Sequence, residues 1–197
     1  KFDSIDWRVI RITDKPIATI DEAEELPPGE VGELTVRGPQ ASVQYVTRTE
    51  CNLQAKICDA RAEGHWHRMG DVGYVDDHGR FWYCGRQSHR VETPDGPLYT
   101  ECVEAIFNAH PAVGRSALVG IGPRGRQTPV LVVELAPGMK ARGYACELRQ
   151  LARSHSSARR IEHVLVHPRL PVDVRHNAKI EREKLAVWAA HRLPELR

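Results

Sequence analysis

Residues 65–86 read HWHRMGDVGYVDDHGRFWYCGR, two runs of aromatic and β-branched side chains interrupted once by DDHG. Such residues suit a pleated, half-buried surface. The interruption, residues 76–79, is a turn signal whose last member, Gly79, is free to take positive φ. Neighbouring segments carry the same signature. Residues 7–12 (WRVIRI) read as a strand, and residues 17–20 (IATI) are expected to continue its sheet. Residues 32–39 (GELTVRGP) alternate Leu34 and Val36 with polar neighbours, as a half-buried strand does. The acidic DEAEELPPGE between them is a surface loop stopped by Pro27, Pro28 and Gly29. Residues 47–60 read as weakly helical. The first 86 residues are thus expected to be mostly β.

After Arg86 the pattern changes. Residues 87–99 (QSHRVETPDGPLY) are polar and turn-rich, as a linker entering a second domain is. Thr100 reads as the N-cap of a helix, TECVEAIFNAH, with Val103, Ile106 and Phe107 on one face and Pro111 at its end. SALVGIG and PVLVVELAPG are short strands on either side of PRGRQ. Residues 144–154 are amphipathic, with Leu148 and Leu151 inward. IEHVLVHP is a third strand, and residues 181–192 form a last helix with Leu185, Trp188 and Ala189 on one side. Helix, strand, strand, helix, strand, helix makes a small α+β domain. The expected boundaries are residues 1–86 for a β-subdomain and 87–197 for the α+β domain.

Charge and cysteine usage exclude several classes. Lys and Arg number 28 against 26 Asp and Glu, and a formal charge of +2 gives no argument for nucleic-acid binding. Five cysteines, at 51, 58, 84, 102 and 146, make no CxxC pair, which fits reduced thiols in a cytoplasmic protein. No run approaches the roughly 20 apolar residues of a transmembrane segment, and no stretch reads as a signal peptide. The chain begins at Lys1, inside strand-like sequence, and reads as a fragment.

Several residues invite chemistry. Asp71, in MGDVG, reads either as a turn carboxylate or as an acceptor for two vicinal hydroxyls. Arg86, closing CGR at the expected boundary, suits a salt bridge between domains or a phosphate or sugar contact. His65 and His67 alternate on extended sequence, a two-ligand metal hint with no third ligand at a useful spacing, so no metal site is assigned. His155 and His163 read as surface residues. Ser88 and Ser116 lack the glycine setting of a nucleophile elbow. GIGPRG (120–125) joins two strands instead of opening a helix and is no phosphate cradle. Lys179, in HNAKIER, sits on a polar loop just before the last helix, and a lysine there carries a compact charge on a flexible stem.

In order, GELTVRGP, HWHRMGDVGYVDDHGRFWYCGR and LPVDVRHNAKIEREKL resemble three motifs of the acyl-adenylate-forming superfamily of acyl-CoA synthetases, luciferases and peptide adenylation domains. The resemblance covers nearly the whole chain. It implies the last β-subdomain of the large adenylating domain followed by a small mobile α+β C-terminal domain. It also implies ATP and Mg2+, bound mainly through an upstream N-terminal adenylation domain that would hold the phosphate loop and acyl tunnel. Asp71 is then implied to bind ribose hydroxyls and Arg86 the ribose–phosphate region. Ser88 becomes the hinge, and Lys179 contacts phosphate and acyl oxygens during adenylation. Glu33 and Tyr45 fall in stretches that are mainly structural in the family.

The sequence also departs from the common pattern. Ser88 stands where the hinge is usually Asp or Lys, and Gln44 where glycine precedes the tyrosine. HRVETPDGPLYTECVE lacks the usual lysine and stretches the glycine turn, and RHNA replaces a short Ser-Gly. That turn helps to complete the pantetheine tunnel in many relatives, so the changes argue against thioester formation. VETPDGPLYTECVE and VDVRHNAKI resemble the branch that closes long-chain β-hydroxy acids to β-lactones in bacterial olefin biosynthesis. The implied partners are a β-hydroxy fatty acid and other enzymes of the olefin pathway. The alternatives are a fatty acyl-CoA ligase and a non-enzymatic two-domain binding module, which an upstream phosphate loop would tell apart from an enzyme.

Overall fold

In the computed structural model, strands β1 (Asp6–Ile10), β2 (Gly32–Arg37), β3 (Lys56–Cys58), β4 (His65–Val75) and β5 (Phe81–Arg86) form one antiparallel sheet. The structure describes residues 4–61, 64–139, 143–173 and 176–194. The chain divides into two units, Lys1–Ser88 and His89–Arg197. β4 is the longest strand of the first unit. β2 lies along one edge of it, while β3 pairs with its first residues and β5 with its last. The core beneath holds Ile10, Ile17, Ile20, Ile57 and Trp66. Trp66 is 1% exposed. Its indole N–H donates to Asp59 Oδ2 (3.0 Å), and the guanidinium groups of Arg8 and Arg37 lie 4.8 and 4.9 Å from its ring.

Residues 17–20 do not continue the sheet. They make one isolated bridge, Thr19 to Cys58, and then a 3-10 turn, Ile20–Glu22. Ile17 and Ile20 are both buried at a spacing of three, which a strand of period two would send to opposite faces. Pro16 also removes a backbone donor just ahead. Residues 47–60 are helical only in part. A 3-10 turn, Thr49–Cys51, and the single turn α1 (Asn52–Ala55) lead directly into β3. The β4–β5 turn forms over DDHG, with Gly79 at φ 72°. The Asp76 carboxylate gathers the N–H groups of His78 and Arg80, the Arg80 Nε and the Trp82 indole N–H.

The second unit opens with a hairpin, β6 (Val91–Thr93) and β7 (Gly96–Leu98), turning over Pro94 and Asp95. The turn-rich segment is therefore folded rather than a plain connector. Helix α2 (Thr100–Asn108) follows, with Tyr99 at the cap position and Thr100 already helical and buried. Strands β8 (Val113–Ile121), β9 (Thr128–Leu135) and β10 (His163–Val166) form a sheet in the order β10-β9-β8. β8 and β9 are antiparallel, and β10 runs parallel to β9. Helix α3 (Tyr144–Ser154), hairpin β11 (Val172–Asp173) and β12 (His176–Ile180), and helix α4 (Arg182–Arg192) complete the unit.

Alternation in β8 and β9 divides its core. Leu118, Leu131 and Val133 pack with Val103 and Phe107 of α2 and Leu148 of α3. Ala117, Val119, Val130 and Val132 pack with Leu185 and Ala189 of α4. The sheet thus has helices on both faces, because apolar residues run through β8 and β9 without a polar phase. The architecture is the expected mixed α+β fold. Among the described residues no helix is long and apolar enough to cross a membrane.

Candidate functional site

Asp71 stands on a bulge. Glu33 pairs with Val72 and Thr35 with Arg68, so Met69, Gly70 and Asp71 of β4 face Leu34 alone on β2. Gly70 takes φ 65°, a conformation that a side chain disfavours, and this lets the chain turn out of the ladder just before Asp71. A bulge leaves backbone groups without a ladder partner. Arg86, opposite Asp71 in the β4–β5 register, meets that need: its Nη1 donates to the Met69 carbonyl (2.8 Å) and to Asp71 Oδ1 (2.7 Å). Asp71 Oδ2 has no donor among the described residues. One carboxylate oxygen is held by the cation and the other is open to a hydroxyl, on a side chain about one quarter exposed.

The flanks of the bulge are stapled by a buried ion pair. Arg68 Nε and Nη2 both donate to Glu33 Oε2, at 2.9 and 2.6 Å, with the two side chains 5% and 2% exposed. Arg68 also donates to the carbonyls of Thr13, Lys15 and Gln54. A fully engaged guanidinium is the arrangement in which a buried charge is tolerated. Sequence reading named Glu33 but missed Arg68. Its signal was the phase of β4, where Arg68 shares the inward side of buried Trp66 two residues earlier.

The remaining residues of the first unit are peripheral to this bulge. Ser88 is exposed within a 3-10 turn, Gln87–His89. Tyr45 packs edge-on against His67, and its ring lies 5.5 Å from Lys56 Nζ, which donates to the Ser42 carbonyl and hydroxyl. His67 Nδ1 lies 3.2 Å from the Ala55 carbonyl. Burial, and then the Lys56 charge, hold the imidazole below its ordinary pKa. Among the described residues no group of three His, Cys, Asp or Glu side chains is placed to hold a metal ion.

Lys179 belongs to strand β12 and not to a loop. β12 pairs with β11 through Val172–Ile180 and Asp173–His176. Ile180 packs against the α4 side of the core, and alternation turns Lys179 outward, where it is exposed. Arg175 of the same segment lies outside the described residues. Glu181 occupies the cap position, so α4 starts at Arg182. Arg182 and Glu104 form a second buried ion pair: Nη2 donates to Oε2 (2.9 Å), Nη1 to Oε1, and Oε1 also takes the Leu118 N–H (2.7 Å). Burial raises the Glu104 carboxyl above its ordinary pKa, and Arg182 opposes that shift. Glu104 was legible only as a fourth member of the buried stripe of Thr100, Val103 and Phe107. Ser116, buried, donates to Asn108 Oδ1 (2.8 Å) as part of the packing between β8 and α2.

No protein-family profile matches the chain. The olefin beta-lactone synthetase of Stenotrophomonas maltophilia (strain K279a) is 51% identical over 193 residues, covering 94% of this chain and 34% of the relative. The olefin beta-lactone synthetase of Xanthomonas campestris pv. campestris is 51% identical over 189 residues, covering 93% and 34%. Among solved structures, the amide bond synthetase McbA from Marinactinospora thermotolerans superposes with a TM-score of 0.74 at 26% identity, over 94% of this chain and 35% of that one. The chain therefore spans about a third of the length of the relatives it matches. With two relatives at this identity across nearly its whole length, and the fold shared with a solved synthetase, the chain belongs to the acyl-adenylate-forming superfamily, as a C-terminal portion on the olefin β-lactone synthetase side.

Proposed function

We propose that this chain is the C-terminal third of an AMP-forming ligase that activates a long-chain β-hydroxy acid and closes it to a β-lactone. Asp71 carries the reading. It is a carboxylate at a bulge in the β2–β4 ladder, one oxygen held by Arg86 and the other without a donor among the described residues. A vicinal diol matches that geometry, because an ionised carboxylate accepts from both hydroxyls. Arg86, half exposed, has charge to spare for a phosphate beside the same ribose. In this reading residues 1–86 complete the nucleotide site of an upstream adenylation domain, and residues 87–197 form a mobile lid with its hinge at Ser88. Mg2+ is bound mainly through the upstream domain.

The chemistry takes two steps. The substrate carboxylate attacks the α-phosphorus of ATP and pyrophosphate leaves, which converts a poor leaving group into AMP. The β-hydroxyl oxygen then attacks the acyl carbon, its proton passes to solvent, and AMP departs as the four-membered ring closes. The nucleophile is already tethered, so orientation supplies what a second diffusing substrate otherwise would. Lys179, beside the N-terminus of α4, is suited to the first step, where negative charge gathers on the α-phosphate. The segment of the β6–β7 hairpin, VETPDGPL, lacks the lysine usual at this turn in the family, which supports capture within the substrate and not by coenzyme A.

The deciding experiment supplies the full-length protein with ATP, Mg2+ and a β-hydroxy fatty acid, without thiol. β-Lactone, AMP and pyrophosphate are the expected products. Strict dependence on coenzyme A, with thioester as the only product, would instead identify a fatty acyl-CoA ligase.

A further inference from the structure

Lys179 is three residues from a buried charge that nothing in the adenylation chemistry uses. Arg182 begins α4, on one face of the three-stranded sheet, and Glu104 belongs to α2, on the other. Their side chains meet beside β8, where Glu104 Oε1 takes the Leu118 N–H (2.7 Å) and Arg182 Nη1 approaches the Leu118 carbonyl (3.3 Å). The guanidinium fork engages both carboxylate oxygens, and Arg182 Nε is buried without a partner among the described residues. The two Nη contacts therefore set the orientation of this side chain. A buried ion pair seldom adds stability over apolar residues of the same volume. What it adds here is a directional joint between two helices and a strand.

That joint lies where the chain passes from β12 into α4. Upstream, Ile180 pairs with Val172 and packs into the α4-side core. The Glu181 N–H donates to the Pro171 carbonyl (2.9 Å). Downstream, Arg182 is tied to α2 and β8. Lys179 is the next outward residue before these anchors.

We propose that Arg182 and Glu104 are positioning residues for Lys179, setting the height and direction from which its ammonium leaves the domain. The proposal rests on the reading of Lys179 as the adenylation lysine. A rigid pedestal matters because a displacement of about 1 Å in a positioned group can cost ~10²-fold in rate. Lysine at 182 keeps the charge but loses the fork, so the joint loosens without leaving Glu104 alone.

The test uses the full-length protein, comparing wild type, Arg182→Lys, Lys179→Ala and the double variant. ATP–pyrophosphate exchange, turnover of preformed acyl-adenylate and the melting temperature are measured for each. Arg182→Lys is expected to slow exchange by ~10-fold or more with KM for ATP and acid nearly unchanged, and to spare turnover of preformed adenylate. In the Lys179→Ala background the same substitution is expected to cause no further loss, because it acts through the missing ammonium. Should Arg182→Lys destabilise the fold, Glu104→Leu combined with Arg182→Met removes both charges together and should show the same pattern. Equal loss in both half-reactions, or an exchange loss independent of Lys179, overturns the positioning role while the reading of Lys179 stands. Normal exchange in Lys179→Ala alone overturns that reading and the positioning role with it.

Discussion

Glu33 and Arg68 lie on the two sides of the bulge that carries Asp71, and their ion pair closes the strands around it in an almost completely buried setting. Removing one partner leaves a desolvated charge alone. Glu33→Gln and Arg68→Met are each expected to destabilise the protein by about 3–5 kcal/mol. Thermal or urea unfolding of the full-length variants measures this. Arg68→Met should be the worse of the two, since the carbonyls of Thr13, Lys15 and Gln54 each lose a donor as well.

Asp71→Asn tests the proposed ribose contact. The Asp71–Arg86 pair is partly exposed, so stability should change by less than about 1 kcal/mol. Nucleotide affinity or the adenylation rate should fall, because a neutral amide is a weaker acceptor for two hydroxyls. Calorimetric ATP binding and pyrophosphate exchange are the measurements, and unchanged values in both would remove Asp71 from the site.

For Lys179→Ala, the exposed position of the side chain means that folding should be nearly intact. Adenylate formation should drop by roughly 10²-fold or more, the scale of one lost charge-stabilising donor. Lactone formation from ready-made adenylate should fall far less. Paired assays of exchange and preformed-adenylate turnover separate the two steps.

Asp76 sets an acid limit for the β4–β5 turn. Its hydrogen bond from the Trp82 indole, followed by the backbone N–H of Arg80, holds its carboxyl well below the ordinary 3.8. A depressed folded-state pKa means that stabilisation is complete above 3.8 and is lost as pH falls from there through the folded value. Asp76→Asn should therefore lower stability at neutral pH and flatten the acid limb of the stability–pH curve. Melting temperatures from pH 7 downward test the slope.

Local pattern made much of this fold legible. Helices over 144–154 and around 100–108 followed from apolar periodicity, and the DDHG turn followed from its own chemistry. Residues 17–20 misled because an Ile-x-x-Ile spacing is ambiguous until the core is known. Lys179 read as a loop residue because its strand, HNAKI, is polar at its start and pairs only with two-residue β11, which is too short to leave a period. The Asp71 and Arg86 pairing was within reach, since both lie on the two strands of one hairpin, at the end of their register away from the turn. The buried pairs were not. Arg68 and Glu33 are 35 residues apart, Arg182 and Glu104 78, and a charged residue carries no mark of a partner at that distance.

β8 ends its sheet, with β9 as its only strand partner among the described residues. At Leu118 both the N–H and the carbonyl are taken by side chains, an anion and a cation, instead of by a further strand. Open sheet edges are templates on which other chains polymerise. A second polypeptide laid along β8 would first have to prise apart a desolvated ion pair. The domain therefore carries a built-in guard against edge-to-edge aggregation, and substitutions at Glu104 or Arg182 should show their harm as loss of solubility on concentration before any loss of helix content.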